Sequence, residues 1–519
     1  MPKKVLTILT IFFRISDILP LTSDLLHLKE GSLFMIKKII LKYKTLPTQV
    51  KGSLWFMFSG FLTRGISFLT VPIFTRILTT QEYGQISVFN SWYDIASVVL
   101  TLNLFYGVYF QGLVKFEDKK DEFSSSLQGL TLTMCIVWGG IYLLLHDRIN
   151  SLMSLTTPLM IIMLIRCWLR AVMCFWSAQQ RNEFLYKRLL IITLAVSFVR
   201  PVLGITAVLT FEDKVTARLF TDMIVEAAAY TGLFFEHMKK GRKFFSPGIW
   251  KYALTFAVPL LPHYLSNVIL SSSDRIMIEK MVGESEAGIY NLAYSISLVM
   301  TVLSSALLQT SEPWIYQKIN EKKISDISRA AFPMMIFVAG ANLVLIALAP
   351  EAVKIFAPPE YTDAIYVIPP VTMSVFFTFT FSLFAAFEFY YEKKHFITIA
   401  TCMGAGANII LNLIFINIFG YRAAGYTTLV CYIIYDIFHY IFMRKICREN
   451  LDNADPYDLK KLLIISGTFL LSGFILLLTY DLMWLRYTLC LTMLITVIIN
   501  RKRITEFIKQ LASMRKNEG

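Results

Sequence analysis

The chain has 519 residues, 56% of them hydrophobic and 17% charged, with a formal net charge of +14. A soluble domain carries about 25% charged residues; here charge is depleted, the apolar residues come in membrane-length runs, and no soluble domain of useful size is left between them. The positive charge lies in loops rather than on one patch, which argues against nucleic-acid binding, and the seven cysteines form no C-x-x-C, so neither a metal site nor a disulfide framework is indicated.

In chain order, residues 1–51 form a cytoplasmic N-terminal segment with nine Lys and Arg. Its start, MPKKVLTILTIFFRISDIL, has an apolar run of only nine residues, then Arg14 and Asp17, and no small-residue cleavage site. That makes a weak signal peptide. The alternatives are an interfacial amphipathic segment and a true start at Met35; the second is favoured, because MIKKIILKYKTLPTQVKG reads as an ordinary cytoplasmic leader and leaves 1–34 as a mis-assigned start.

A span needs about 20 apolar residues. Fourteen follow, at 53–75, 85–108, 127–145, 157–178, 189–209, 216–236, 252–272, 288–311, 328–349, 364–388, 396–418, 424–443, 462–480 and 483–500. They group into an N-lobe at 52–237, a cytoplasmic linker at 238–251, a C-lobe at 252–445, a cytoplasmic loop at 446–461, two further spans at 462–500 and a basic cytoplasmic tail at 501–519. Of the 50 Lys and Arg, 37 fall in the N-terminal segment, the even-numbered loops and the tail, and eight on the opposite side. That bias puts both termini in the cytoplasm.

Slid on itself by 204 residues, the chain lays RILTTQEYGQISVFNSW from Arg76 over KMVGESEAGIYNLAYSI from Lys280. Glu82 meets Glu286, Gly84 meets Gly288 and Ser91 meets Ser295. Each copy follows a span with a short polar turn, whose Gly is expected to open it by tolerating positive φ. The copies begin at spans 1 and 7, so both halves enter the membrane with the same sense, the parallel-repeat case. The expected fold is an all-α polytopic membrane protein of about fourteen transmembrane helices: two pseudo-symmetric six-helix lobes plus two C-terminal helices, with a cavity between the lobes.

Three stretches carry a resemblance: LTVPIFTRILTTQEYGQISVF, VPLLPHYLSNVILSSSDRIMIEKMVGESEAGIYNLAY and GANIILNLIFINIFGYRAAGYTTLVCY. Over roughly 52–445 the chain resembles polysaccharide-biosynthesis flippases of the Wzx type, in the MOP superfamily that also holds MATE exporters and the lipid II flippase. The resemblance implies transport rather than enzymatic catalysis. It implies a polyprenyl-pyrophosphate-linked oligosaccharide as cargo, moved across the bacterial cytoplasmic membrane for surface polysaccharide synthesis. Membrane lipids and a polysaccharide polymerase are the other expected partners. A cation-coupled MATE-type drug exporter and a membrane-embedded polymerase or glycosyltransferase are the alternatives. No catalytic residue, metal or cofactor is expected, and no phosphate-cradling Gly-rich loop points to ATP.

Ionisable groups near a bilayer centre cost about 2.5–3.5 kcal/mol on insertion scales and face the protein interior or water. Arg64, Arg166, Arg170 and Arg200 lie near span centres, with Asp94, Asp222 and Glu226 at similar depth. Arg166 and Arg170 are four apart on one helical face, as are Asp222 and Glu226. The two faces can neutralise each other, or Arg can grip a pyrophosphate with its planar fork; a carboxylate against Arg can also couple cargo to protons. Arg64 and Arg200 are the better headgroup candidates, since only Asp94 remains as an obvious partner. Asp274 and Arg275, at the end of span 7, read as a local ion pair with Arg275 snorkelling, or, as the resemblance implies, as a gate or headgroup contact. Asp94, Asp222, Glu226 and Asp274 are the coupling or gating candidates. Glu312 and Glu388 are expected to be solvated at cytoplasmic span ends, Asn408 and Asn412 to bond across helices, and His439, three residues after Asp436, to be a weak proton-site candidate. Pro72, Pro259 and Pro262 interrupt spans 1 and 7 and are expected to bend them.

Overall fold

The computed structural model describes residues 47–499 and 501. The expected start at Met35 and the rest of the basic tail fall outside the described residues. Every expected span but the second coincides with a single helix, and the described residues contain no strand. Helices are the form in which a spanning segment satisfies its own backbone groups. The first lobe comprises α1 (Thr48–Ile77), α2 (Thr80–Thr101), α3 (Gly107–Lys115), α4 (Lys120–Met153), α5 (Thr157–Asn182), α6 (Tyr186–Thr210) and α7 (Lys214–Gly241). The second comprises α8 (Pro247–Met281), α9 (Glu284–Asn320), α10 (Ile324–Ala347), α11 (Ala349–Phe356), α12 (Ile368–Tyr390), α13 (Lys394–Phe419) and α14 (Ala423–Asn450). Two further helices follow, α15 (Leu459–Leu478) and α16 (Met483–Ile499).

Eleven of these helices are long and apolar enough to cross a membrane. The other three spans depart from that pattern for visible reasons. Span 2 is not one helix: α2 ends at Thr101, Leu102 and Asn103 take left-handed φ of 49° and 51°, and the chain resumes in α3. α7 carries buried charge, and α16 is described for only 17 residues. The prolines leave α1 and α8 continuous.

Lipid tails give apolar faces no reason to leave them, so lobe packing rests on close van der Waals fit and internal hydrogen bonds. α12 forms the spine of the second lobe: 83% of its most apolar stretch is buried in protein, against 6% for α1. Phe376, Phe379, Phe384 and Phe387 project from it into a core shared with α10, α14 and α15, where Tyr457 is also fully buried. The connection between spans 9 and 10, at 350–363, is mostly ordered as α11 and a 3-10 segment, Pro359–Tyr366. Thr75 Oγ1 and Arg76 Nη2 at the end of α1 donate to the Phe356 and Ile355 carbonyls at 2.6 and 2.8 Å, satisfying the bare C-terminus of α11.

The repeated turns meet each other. Thr79 caps α2 in a reciprocal box with Glu82. Gly84 and Gly288 are not turn-openers with positive φ; each lies in the first turns of its helix, at the crossing of α2 with α9. A methyl on Gly84 would overlap the carbonyl oxygen of Glu284, and one on Gly288 would overlap that of Thr80. Thr80 and Glu284 are themselves repeat equivalents, so the contact is reciprocal about a pseudo-twofold axis. Thr80 Oγ1 lies 2.5 Å from Ser285 Oγ, and Gln81 and Gln85 each donate to Glu284 Oε2 at 2.9 Å. The lobes are thus closed against each other at the end that bears the α1–α2 and α8–α9 turns.

Candidate functional site: a guanidinium–carboxylate cluster in the first lobe

Helical spacing aims the charges inward. Arg166 and Arg170 lie one turn apart on α5; Arg218, Asp222 and Glu226 follow at four-residue steps along α7; Arg200 comes from α6 and Asp94 from α2. The Arg166 fork meets Glu226 with Nε–Oε2 at 3.0 Å and Nη2–Oε1 at 3.1 Å, and its Nη2 lies 3.9 Å from Asp222 Oδ2. Arg200 bridges the same two acids, at 3.0 Å to Asp222 Oδ2 and 3.2 Å to Glu226 Oε1. Arg218 closes on Asp222 Oδ1. Gly204 makes room for it, since a Cβ there would crowd the Arg218 guanidinium. Arg170 instead takes Asp94, Nη1–Oδ1 at 2.6 Å. The Tyr93 ring lies 4.9 and 5.3 Å from the Arg166 and Arg170 guanidinium carbons, a cation–π contact to both.

Pairing therefore differs from expectation. Asp222 and Glu226 are shared by Arg166, Arg200 and Arg218; Asp94 goes to Arg170, not Arg200. Arg218 escaped the sequence reading, although its i, i+4 spacing to Asp222 was the available signal. Arg64 stands apart: it is exposed on α1, has no carboxylate partner among the described residues, and is absent from the cavity wall. Four guanidiniums face three carboxylates, a formal surplus of one positive charge.

The cluster has a dry side and a wet side. Arg166, Asp222 and Glu226 side chains are 3%, 6% and 7% exposed, whereas Arg170, Asp94 and Arg200 are 40%, 42% and 32% exposed. The exposed members border a cavity of about 370 Å³, whose wall the edges of Arg166 and Glu226 also reach, together with Asn90, Tyr93, Met173, Cys174 and Tyr230. Its walls come from α2, α5, α6 and α7, so the hollow belongs to the first lobe. An anion entering there meets Arg170, whose one carboxylate bridge among the described residues is half-exposed. Surface-like bridges are worth about 0–1 kcal/mol, so exchange for another acid is inexpensive, whereas the buried Arg166–Glu226 fork is fixed.

In the second lobe, Asp274 and Arg275 do not pair with each other. Both are buried, at 1% and 7% exposure, well inside α8, which runs on to Met281. Asp274 accepts from Tyr290 Oη at 2.6 Å, Asn412 Nδ2 at 2.7 Å and Thr428 Oγ1 at 2.8 Å. Arg275 donates to the Ser271 carbonyl at 2.7 Å and to Asn291 Oδ1 at 3.2 Å, with its guanidinium 3.9 Å from the Tyr294 ring centre. Helical geometry sends adjacent side chains in different directions, which overturns both the local pair and the snorkelling. Asn408 and Asn412 bond across helices as expected, Asn408 Oδ1 accepting from Ser273 Oγ at 3.0 Å. Glu388 is fully buried rather than solvated, bonded to His439.

A family model described as polysaccharide biosynthesis protein matches residues 49–318, more than half of the chain. A protein of the Lsg locus of Haemophilus influenzae is 22% identical over 303 residues, 53% of this chain and 67% of that one. The fold is similar to that of the lipid II flippase MurJ in an inward closed conformation, with a TM-score of 0.65 and 14% identity over 88% of this chain and 100% of that one. It is also similar to an inward-facing multidrug resistance MATE family transporter of the MOP superfamily, with a TM-score of 0.58 and 14% identity over 74% of this chain and 95% of that one.

Proposed function

The chain belongs to the polysaccharide biosynthesis protein family, and from that premise we propose that it flips polyprenyl-pyrophosphate-linked oligosaccharide repeat units across the bacterial cytoplasmic membrane by alternating access. The observation that carries the reading is the cavity edged by Arg170 and Arg200, where guanidiniums outnumber carboxylates and two of the bridges are part-exposed. About 370 Å³ lies at the small end of the range of ligand pockets. It suits a pyrophosphate and the first sugar, with the remaining sugars outside and the prenyl tail in lipid. Pyrophosphate oxygens displace Asp94 from Arg170 and engage the free edge of Arg200. Arg166, Asp222, Glu226 and Arg218 hold the frame.

The Lys and Arg distribution supports cytoplasmic termini, which puts the closed Gly84–Gly288 contact on the outer side. Cargo then enters from the cytoplasm and leaves when the paired turns part. A MATE-type exporter needs a free carboxylate-lined cation site, and the three carboxylates of this cluster are all bridged to guanidiniums. A polysaccharide polymerase is a partner in the same pathway under this reading.

Deletion of the gene, followed by analysis of surface glycan and lipid-linked precursor, tests the proposal. The expected result is loss of glycan with precursor held on the cytoplasmic leaflet. Unchanged glycan with drug hypersensitivity overturns flipping in favour of export.

A further inference from the structure

The second lobe buries an acid–base pair remote in sequence from the cargo cluster. Glu388, in the last turn of α12, is 0% exposed; His439 on α14 is 1% exposed; His439 Nδ1 lies 2.7 Å from Glu388 Oε1. Each group keeps a second buried polar atom with no hydrogen-bond partner, Glu388 Oε2 and His439 Nε2. Buried polar groups in folded proteins are nearly always bonded, and a bare one costs about 1–3 kcal/mol.

The surroundings contain further titratable groups, and among the described residues no Lys or Arg is bridged to the pair. On α14, Tyr435 sits edge-on to the imidazole at 4.4 Å, and Asp436 is buried, accepting from Thr380 Oγ1 of α12 at 2.6 Å. Phe381 of α12 stacks on the ring at 5.3 Å. α8 contributes His263, held between Thr401 Oγ1 at 2.9 Å and Asn267 Nδ2 at 3.2 Å, and α13 contributes Cys402 near Tyr435. Among the described residues no Lys or Arg of α9, α10, α13 or α15 is bridged to Glu388, His439 or Asp436.

The contrast with the first lobe matters. There, protonating Asp222 or Glu226 strands guanidiniums that cannot give up their charge. In the second lobe a proton can be taken up or released without stranding a permanent cation. We propose that Glu388 and His439, with Asp436 one turn away, form a proton-binding site that couples proton movement to the switching of the lobes. One proton shared by the carboxylate and the imidazole stabilises this packing of α12 on α14. Its loss leaves a net negative charge buried at Glu388, which favours a conformation in which water reaches the carboxylate. The inference rests on the transport reading for its consequence, but not for the site itself.

Two measurements separate those. First, the full chain, labelled with ¹⁵N-histidine, is placed in lipid bilayers without cargo and titrated from pH 5 to 8 by solid-state NMR, the His439 signals being assigned by their loss in His439→Gln. The expected result is a pH response of the His439 signals whose midpoint moves in Glu388→Gln. A ring that stays in one state, or a midpoint indifferent to residue 388, overturns the site. Second, flipping of a fluorescent undecaprenyl-pyrophosphate N-acetylglucosamine is followed in proteoliposomes with and without an imposed pH gradient. The gradient is expected to change the wild-type rate by about 5–150-fold, the span of a typical coupling free energy. Glu388→Gln, which keeps shape and an acceptor for Nδ1, is expected to lose that response, and Glu388→Asp to retain part of it. Flipping that ignores the gradient, or a full response in both Glu388→Gln and His439→Gln, overturns the coupling. A wild-type protein that titrates but does not flip the probe removes the transport reading and leaves the proton site standing.

Discussion

Replacing Glu226 with Gln tests whether the dry side of the cluster is a charge-compensated frame. The substitution preserves volume and one carbonyl oxygen but removes the charge that faces Arg166 at 3.0 Å and Arg200 at 3.2 Å. At an effective dielectric constant of 20, a unit pair at 3 Å is worth about 5 kcal/mol before desolvation is counted. Arg200 keeps Asp222 at 3.0 Å, but Arg166 keeps only a contact of 3.9 Å to the same acid. Arg166 is 3% exposed, and its Nη1 already lacks a partner, so no neighbouring side chain replaces what is lost. Breaking a buried pair by removing one partner costs about 3–5 kcal/mol, and a value near the lower end is expected because the Gln oxygen still accepts one bond. Equilibrium unfolding of the purified protein in mixed micelles reads this directly. A Glu226→Gln protein within about 1 kcal/mol of wild type, the range of exposed bridges, refutes the division into a fixed frame and an exchangeable edge.

The edge gives the opposite pattern. Arg170→Gln breaks a bridge whose partners are 40% and 42% exposed; stability is expected to fall by no more than about 1 kcal/mol, while complementation of the deletion strain is lost. Cysteines replacing Thr80 and Ser285, whose oxygens lie 2.5 Å apart, are expected to form a disulfide under oxidant that stops flipping and to release it under reductant; a cross-linked protein that still flips shows that the paired turns need not part. Asp274→Asn offers one acceptor where Tyr290, Asn412 and Thr428 all donate; with an NH₂ turned toward a donor it is expected to cost about 1–3 kcal/mol, read as a lowered unfolding midpoint.

Most spans were legible as long apolar runs, and the repeat because its two copies keep Gly84 and Gly288 in register. What those glycines do was not, since a positive-φ turn and a tight helix crossing place the same demand on a sequence. The shared faces of Arg166 with Arg170 and of Asp222 with Glu226 followed from four-residue spacing. Their partners did not follow, because the rotation of α5 against α2 and α7 decides them: Arg170 faces Asp94 while Arg166 faces Glu226. Arg218 was not singled out, although span 6 at 216–236 contains it. Asp274 and Arg275 misled because adjacency in sequence is not adjacency on a helix. Glu388 and His439 lie 51 positions apart on different helices, so no local pattern joins them.

The reciprocal crossing of Gly84 and Gly288 also bears on ancestry. Thr80 touches one glycine as Glu284 touches the other, so a half-length polypeptide bearing a single such turn would pair with a second copy of itself through the same four positions. Fusion of two copies would have kept that handshake while freeing each half to diverge, one toward a guanidinium-rich hollow and the other toward an interior of hydrogen-bonded acids, amides and hydroxyls.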